Sequence, residues 1–299
     1  MRHRSGHRHL HLRLPGVRRV RPRPAAGGRT SHQGNGDRLI MCIDCGCPSG
    51  GHDHPHDHDQ VRTQGGKTVR IEENLLAKND RLAGINRALF AARGLLVLNL
   101  VSSPGSGKTS ILERTLVELR GRIAFAVLEG DQQTANDADR IAATGVPVHQ
   151  INTGTGCHLD AHMVGHGIEH LDLAAAEILM IENVGNLVCP ASFDLGEDHK
   201  VAVLSVTEGE DKPLKYPQMF QAADLMLINK IDLLPYLRFD LEKCKTFARR
   251  VNPKITILEL SCQSGVGMEG WYAWLAAGLS RKKALKDLTT EARRHRGDL

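Results

Sequence analysis

VSSPGSGKT, residues 101–109, follows the apolar run LLVLNL (95–100) and leads into the helix-forming segment SILERTLVELR (110–120). A strand, a glycine-rich loop and a helix in that order form the context in which backbone amides surround a phosphate at a helix N-terminus. Gly105, Ser106 and Gly107 supply amides to the loop, Lys108 can neutralise phosphate charge, the Thr109 hydroxyl can hold magnesium, and Ser110 continues the site into the helix. The first glycine of the usual pattern is Ser102 here. That position has only to leave the strand, so serine is tolerated, although the motif alone becomes less specific.

Outward from this loop, apolar strand-length runs alternate with helix-length segments. The runs are 95–102, 123–129, 146–152, 177–184, 201–207, 225–230 and 255–260, and helices are expected over 108–120, 159–172, 240–251 and 268–280. The strands are continuously apolar, as when helices cover both faces of a sheet. The predicted fold is α/β, a doubly wound and mostly parallel sheet whose ligands bind at the carboxyl ends of the strands. Upstream, Ile71, Leu75, Leu76, Leu82, Ile85, Leu89 and Phe90 recur at helical spacing, predicting an amphipathic helix that ends near Gly94.

NKID, residues 229–232, closes a later apolar strand. Asp232 can accept hydrogen bonds from the N1 and exocyclic N2 donors of guanine, Asn229 can hold the loop and the base, and the Lys230 stem can lie along the ring. Adenine has no such donor pair, and sites built on polar contacts of this kind discriminate by up to about 10⁴ to 10⁵. Ser261 and Cys262, after the last strand, bring a backbone amide within reach of the guanine O6. With the phosphate loop, this makes GTP the expected nucleotide. Asp131, ending the second strand, and Glu182, in ENVG, are the expected further magnesium or water ligands, so Lys108, Asp131 and Glu182 form the catalytic set. Glu182 stands where an aspartate is usual.

The chain has 299 residues and a net charge of +5, but ten arginines against Asp37 give residues 1–40 a charge of +9, leaving −4 for residues 41–299. The basic total therefore gives no warrant for a nucleic-acid partner. Residues 1–40 contain no apolar stretch suited to a secretory signal and read as a disordered or non-native leader, with Met41 the expected first residue. No window approaches the roughly 18 to 20 apolar residues needed to cross a bilayer, so no membrane partner is expected and the protein should be cytoplasmic. Residues 41–68 read as a cysteine- and histidine-rich tail and linker, 69–285 as the GTPase domain, and 286–299 as a charged tail.

The seven cysteines, at 42, 45, 47, 157, 189, 244 and 262, are odd in number and partly clustered with histidines, which argues for thiols and metal rather than disulfides. Cys157 and His158 stand side by side before a helix, and Cys189 follows Glu182 by seven residues, so neighbouring strand ends can bring them together. Thiolate plus imidazole suits zinc, nickel or copper and not magnesium. His162, His166 and His170 continue from His158 at four-residue spacing and read as a solvated helix stripe. Cys244 and the Cys262 thiol read as structural. Cys42, Cys45 and Cys47 form C-x-x-C-x-C, which with the amine of Met41 can offer nickel an S₃N set. His52, His54, His56 and His58 add weaker ligands.

CxxCGC, VSSPGSGKT, EGDQQT, GTGCHLDA, ENVGNLVCP, EGEDKPLKYP and NKID together resemble the HypB family of GTPases, which assist nickel insertion into nickel-iron hydrogenase. The resemblance covers about residues 41–280, already includes serine at the first loop position, and leaves residues 1–40 without a counterpart. It implies a high-affinity nickel site at Cys42, Cys45 and Cys47, and a nickel or zinc site at Cys157, His158 and Cys189. It also implies slow hydrolysis of GTP with Mg2+, a GTP-dependent homodimer, a HypA-type nickel and zinc chaperone as partner, and a hydrogenase large-subunit precursor as recipient of Ni2+. Nickel storage and a urease accessory GTPase are the competing readings; the latter would carry a Cys-Pro-His motif, which this sequence lacks. Replacing Asp232 by asparagine is expected to move base preference from guanosine to xanthosine triphosphate, whose ring has a carbonyl where guanine has its amine. Competition binding between the two measures this, and an unchanged preference refutes the guanine assignment.

Overall fold

A computed structural model describes the backbone of residues 65–132 and 136–297 and the side chains of residues 73–132 and 136–288. The expectations for the leader, for Cys42, Cys45 and Cys47 and for His52 to His58 lie outside the described residues.

Helix α1 (Gly65–Arg93) precedes strand β1 (Leu96–Ser102), helix α2 (Lys108–Glu118), strand β2 (Phe125–Asp131), helix α3 (Asn136–Ala142) and strand β3 (Val148–Asn152). Helix α4 (Ala161–Gly167) and a 3₁₀ turn (Ile168–His170) lead to β4 (Ile178–Gly185), and a second 3₁₀ turn (Cys189–Ala191) leads to β5 (His199–Ser205). Then come α5 (Lys212–Lys215), α6 (Pro217–Ala222), β6 (Leu225–Asn229), α7 (Leu241–Val251), β7 (Thr256–Glu259) and α8 (Met268–Gly297). The seven strands form one sheet in the order β3-β2-β4-β1-β5-β6-β7, and every pairing is parallel. The helix expected over 159–172 is thus a shorter α-helix plus a 3₁₀ turn, and α8 continues beyond 280 to Gly297.

Strand alternation explains the two layers. Leu96, Leu98 and Leu100 of β1 pack on one face with Ile111, Leu112 and Leu116 of α2 and Trp271 and Leu275 of α8. Val97 turns to the other face with Phe90, Val164 and Ile168, and Val101 joins Ala202, Leu204 and Phe220 there. Because all strands run the same way, Ser102, Asp131, Gly185 and Asn229 end on one rim, where a doubly wound sheet binds its ligands. Pairing of β1 with β4 slips there: Leu100 faces Glu182, but Ser102 faces Gly185. The extra residue in β4 is a bulge, a device that re-aims side chains beside a site.

The apolar stripe expected on α1 is only partly the face that the helix buries: Phe90 is buried and Leu76 and Leu82 are half-buried, but its other aliphatic members among the described residues face outward. Leu75 and Ile85 are 56% and 60% exposed and Leu89 is also exposed, whereas Asn79, Ala83, Asn86 and Phe90 are buried. The asparagines turn inward because the loops under the helix present unpaired backbone groups. Asn86 Nδ2 donates to the carbonyls of Ala161 (2.8 Å) and Leu195 (3.1 Å). Asn79 donates to the Asp194 carbonyl (2.8 Å) and accepts from the Ala161 amide (2.9 Å). A buried backbone group left without a partner costs about 1–3 kcal/mol, which outweighs the gain from burying one more aliphatic side chain there. Asn86→Ala is expected to destabilise the protein by about 2–3 kcal/mol, and Ile85→Ser by under about 0.5 kcal/mol, measured as denaturant unfolding midpoints.

Candidate functional site

The phosphate loop is shaped by glycines in the left-handed region, Gly105 at φ 74° and Gly107 at φ 97°, the latter directly before α2. A side chain at Gly107 would also meet Asn229, whose Nδ2 would lie 2.5 Å from the added carbon. Buried Asn229 donates to the Ser106 carbonyl (2.9 Å) and accepts from the Cys262 amide (3.2 Å), binding the phosphate loop to the loop after β7. Lys108 Nζ rests on Ser102 Oγ at 2.7 Å, and burial lowers its pKa. Lys108 therefore has a partner that glycine at the departing position could not supply. The Ser106 hydroxyl is buried without a hydrogen-bond partner. Ser110 accepts from Arg140 Nη2 at 3.3 Å, which ties α2 to α3.

At the rim of β2 and β4, Glu129 and Glu182 face each other in register, both buried. Thr109 Oγ1 donates to Glu182 Oε1 at 2.8 Å, while Glu129 Oε2 and Glu182 Oε2 have no hydrogen-bond partner. Burial and the neighbouring Glu182 charge push the Glu129 carboxyl up to about 8, and burial also raises Glu182. A hydroxyl and two buried carboxylates directed at one place fit a hard divalent cation. Sequence reasoning passed over Glu129. The signal was present, because an acid inside the apolar strand FAVLEGD has no reason to be buried except a positive partner. Asp131, two residues on, lies at the end of the strand, where its Oδ1 accepts from the Gln132 amide at 2.7 Å.

At the base end, Lys230 has φ 64° and its Nζ donates to the Gly105 carbonyl at 2.6 Å, so its stem spans the nucleotide side of the loop. Asp232 accepts from Ser261 Oγ, which in turn accepts from the Ser264 amide at 3.0 Å. The Cys262 amide is engaged by Asn229, so this residue braces the pocket wall. Cys244 is buried in the core.

Beyond the rim, one ligand atom from each of Cys157, His158 and Cys189 lies within 4.8 Å of the others. The Cys157 and Cys189 sulfurs are 2.8 Å apart and are free thiols, and His158 Nδ1 lies 3.5 Å from the Cys157 sulfur. Burial and then the adjacent Cys189 raise the Cys157 pKa, whereas burial lowers that of His158, leaving a neutral imidazole. His158 packs on Phe193 with ring centroids 4.0 Å apart. Two sulfurs and one nitrogen make a donor set for zinc or nickel.

Residues 96–259 match the family model for the CobW/HypB/UreG nucleotide-binding domain. The chain is 58% identical over 265 residues to the hydrogenase maturation factor HypB of Azotobacter vinelandii, covering 87% of this chain and 82% of that protein. The chain belongs to the HypB family. It is also 65% identical over 209 residues to HypB of Escherichia coli (strain K12), covering 70% of this chain and 72% of that one. The crystal structure of HypB from Helicobacter pylori in complex with nickel matches 68% of this chain and 96% of its own, at 40% identity and a TM-score of 0.66.

In this chain, a buried polar network joins the two halves of the site. Asn183, next to Glu182 in the bulge, accepts from the amides of Leu159 and Val184, each at 3.0 Å, and so holds the loop that carries Cys157 and His158. Its Nδ2 donates to Asn99 Oδ1 (3.2 Å), and Asn99 Nδ2 donates to Glu197 Oε1 (3.0 Å). Lys200, 3.7 Å from that carboxylate, donates to the carbonyls of Pro190 (2.9 Å), Ala191 (3.2 Å) and Phe193 (3.1 Å), clamping the turn that begins at Cys189. Gln132 adds a second link, donating to the Gly156 carbonyl at 3.1 Å. Residue spacing and the family resemblance had singled out Cys157, His158 and Cys189. Asn99, Asn183 and Lys200 escaped both because nothing in a strand sequence tells a structural asparagine or lysine from a solvated one.

Because the folded pKa of Glu129 lies above its unfolded value, nucleotide- and magnesium-free protein loses stability as the pH rises from about 4.5 to about 8. Glu129→Gln removes that penalty. The thermal midpoint of the variant should rise relative to the parent across this interval, by several degrees at the upper end; a constant offset refutes the assignment.

Proposed function

We propose that this protein is the nickel-handling GTPase of a hydrogenase maturation pathway. The observation that carries the reading is that Glu182 and Asn183 are adjacent: one faces the phosphate-binding Thr109, the other holds the loop bearing Cys157 and His158. In this reading GTP lies across the phosphate loop, with Gly105, Ser106, Gly107, Lys108, Thr109 and Ser110 around its phosphates. Asn229, Lys230, Asp232 and the Ser261–Cys262 loop enclose the guanine. Water attacks the γ-phosphate in line, giving GDP and phosphate, with Lys108 drawn from Ser102 onto the developing charge. Thr109, Glu182 and Glu129 would hold Mg2+, whose contribution when bound is to neutralise the β- and γ-phosphate oxygens. Asp131 positions the attacking water. Turnover is slow, as suits a switch.

Ni2+ is the cargo. Cys157, His158 and Cys189 hold it or Zn2+, and Cys42, Cys45 and Cys47 form a second nickel site. GTP favours a homodimer, a HypA-type chaperone exchanges metal with it, and the hydrogenase large-subunit precursor receives nickel in the cytoplasm. The nickel complex of the Helicobacter pylori relative supports the cargo assignment.

The network gives the two ligands a common frame, and coupling through it must act in both directions. A variant with Cys42, Cys45, Cys47 and the four tail histidines replaced by alanine isolates the internal site. Its nickel affinity, measured by titration in GDP and in a non-hydrolysable GTP analogue, is expected to differ by about tenfold or more, which is about 1.4 kcal/mol of coupling. Asn183→Ala should shrink the difference. Equal affinities in the two nucleotides would mean that hydrolysis controls docking of partners and not release of metal.

A further inference from the structure

Arg114, on the second turn of α2, belongs to none of the sequence motifs, yet it grips the loop that follows β7. Its Nη1 donates to two successive carbonyls of that loop, those of Cys262 (2.9 Å) and Gln263 (3.2 Å). The guanidinium is itself held from behind. Its Nε pairs with Glu118, one helical turn further on, at 2.7 Å, and Glu118 accepts from the Tyr272 hydroxyl of α8 at 2.9 Å. The loop leaves room for it at Gly265, which has φ 88° and where an added side chain would meet Arg114 Nη2 at 2.6 Å.

Where the amides of the loop go shows what this grip controls. Ser261 donates to the Val266 carbonyl (2.8 Å), Cys262 to Asn229 Oδ1 (3.2 Å), Ser264 to Ser261 Oγ (3.0 Å) and Gly265 to the Ser261 carbonyl (2.8 Å). The Gln263 amide donates to no acceptor among the described residues. It shares a peptide group with the Cys262 carbonyl, and in a planar trans peptide the N–H and the C=O point in opposite directions. By holding that carbonyl against α2, Arg114 therefore turns the Gln263 N–H away from the helix. The same loop is fastened to the base end of the site, since Ser261 Oγ donates to Asp232 and the Cys262 amide is taken by Asn229.

We propose that Arg114 is a positioning residue for base recognition, and that the donor it positions is the Gln263 amide, which meets the oxygen on C6 of the purine. The inference rests on the reading of this end of the site as a guanine pocket. Asp232, an acceptor, can read the N1 and amine donors of guanine but not its oxygen. The Gln263 amide supplies the complementary donor, and it opposes the 6-amine of adenine, which would bring a second donor against it.

The test compares three nucleotides on the full chain. GDP carries every group named; inosine diphosphate keeps the oxygen and lacks the amine; 6-thioguanosine diphosphate keeps the amine and the N1 donor but has sulfur, a weaker acceptor, in place of the oxygen. Dissociation constants are measured by calorimetry for the parent and for Arg114→Met, which keeps an apolar stem and removes the donors, with its folding checked by circular dichroism. The variant is expected to bind GDP and inosine diphosphate about fivefold to tenfold more weakly, leaving their ratio as in the parent, while 6-thioguanosine diphosphate stays within about twofold of its parent value. Glu118→Ala, which frees the guanidinium without removing it, should give the same pattern at smaller size and carries the test if Arg114→Met does not fold. The proposal is overturned if the variants weaken all three nucleotides by one factor, which would be a general loosening of the pocket, or if they change none. A parent that does not distinguish GDP from inosine diphosphate would instead overturn the guanine reading itself, and this inference with it.

Discussion

In a wholly parallel sheet every strand runs out at the same rim, and the last backbone groups there have no ladder partner. This protein meets the constraint with carboxamides. Asn229 joins the phosphate loop to the loop after β7, and Asn183 joins the end of β4 to the loop after β3. Asn152 receives the Gly154 amide, and Asn79 and Asn86 fasten α1 to the start of α4. A carboxamide presents a donor and an acceptor at fixed separation and carries no charge, so it can be buried where a lysine or aspartate would need an ionic partner. The loops that meet nucleotide and metal are therefore hung from the sheet and not left to solvent.

The same rim concentrates electrostatic cost. Glu129 and Glu182 oppose each other in a buried register, and the Cys157 and Cys189 sulfurs touch. Both pairs place like groups against each other, and a cation would relieve either one, a hard one in the first case and a soft or borderline one in the second. The donor chemistry of the two pairs therefore differs, oxygen at one and sulfur at the other. The network through Asn183, Asn99, Glu197 and Lys200 is continuous between them, so displacement on one side meets bonded neighbours on the other.

Much of this was legible in the residues. The strands in apolar runs, the loop at 102–109 and NKID gave the sheet class and the nucleotide end, because each motif comes with its own structural context. The cysteine and histidine spacing pointed to Cys157, His158 and Cys189, which the fold brings within 4.8 Å of one another, once neighbouring strand ends were assumed to meet. What stayed hidden was relational. Part of the inward face of α1 is set by asparagines answering carbonyls of loops that only the tertiary fold brings near, so a reading by hydrophobicity found Phe90 but added the exposed Leu75, Ile85 and Leu89.

The hydrogen bond from Lys108 to Ser102 bears on affinity. Phosphate-binding lysines are held by their ligand, and a buried ammonium deprived of it raises the free energy of the vacant pocket. A serine hydroxyl in the place of the usual glycine gives that ammonium somewhere to rest. A nucleotide that draws Lys108 onto its phosphates must break this bond, so its affinity is lower by the worth of the contact than it would be with glycine in that place.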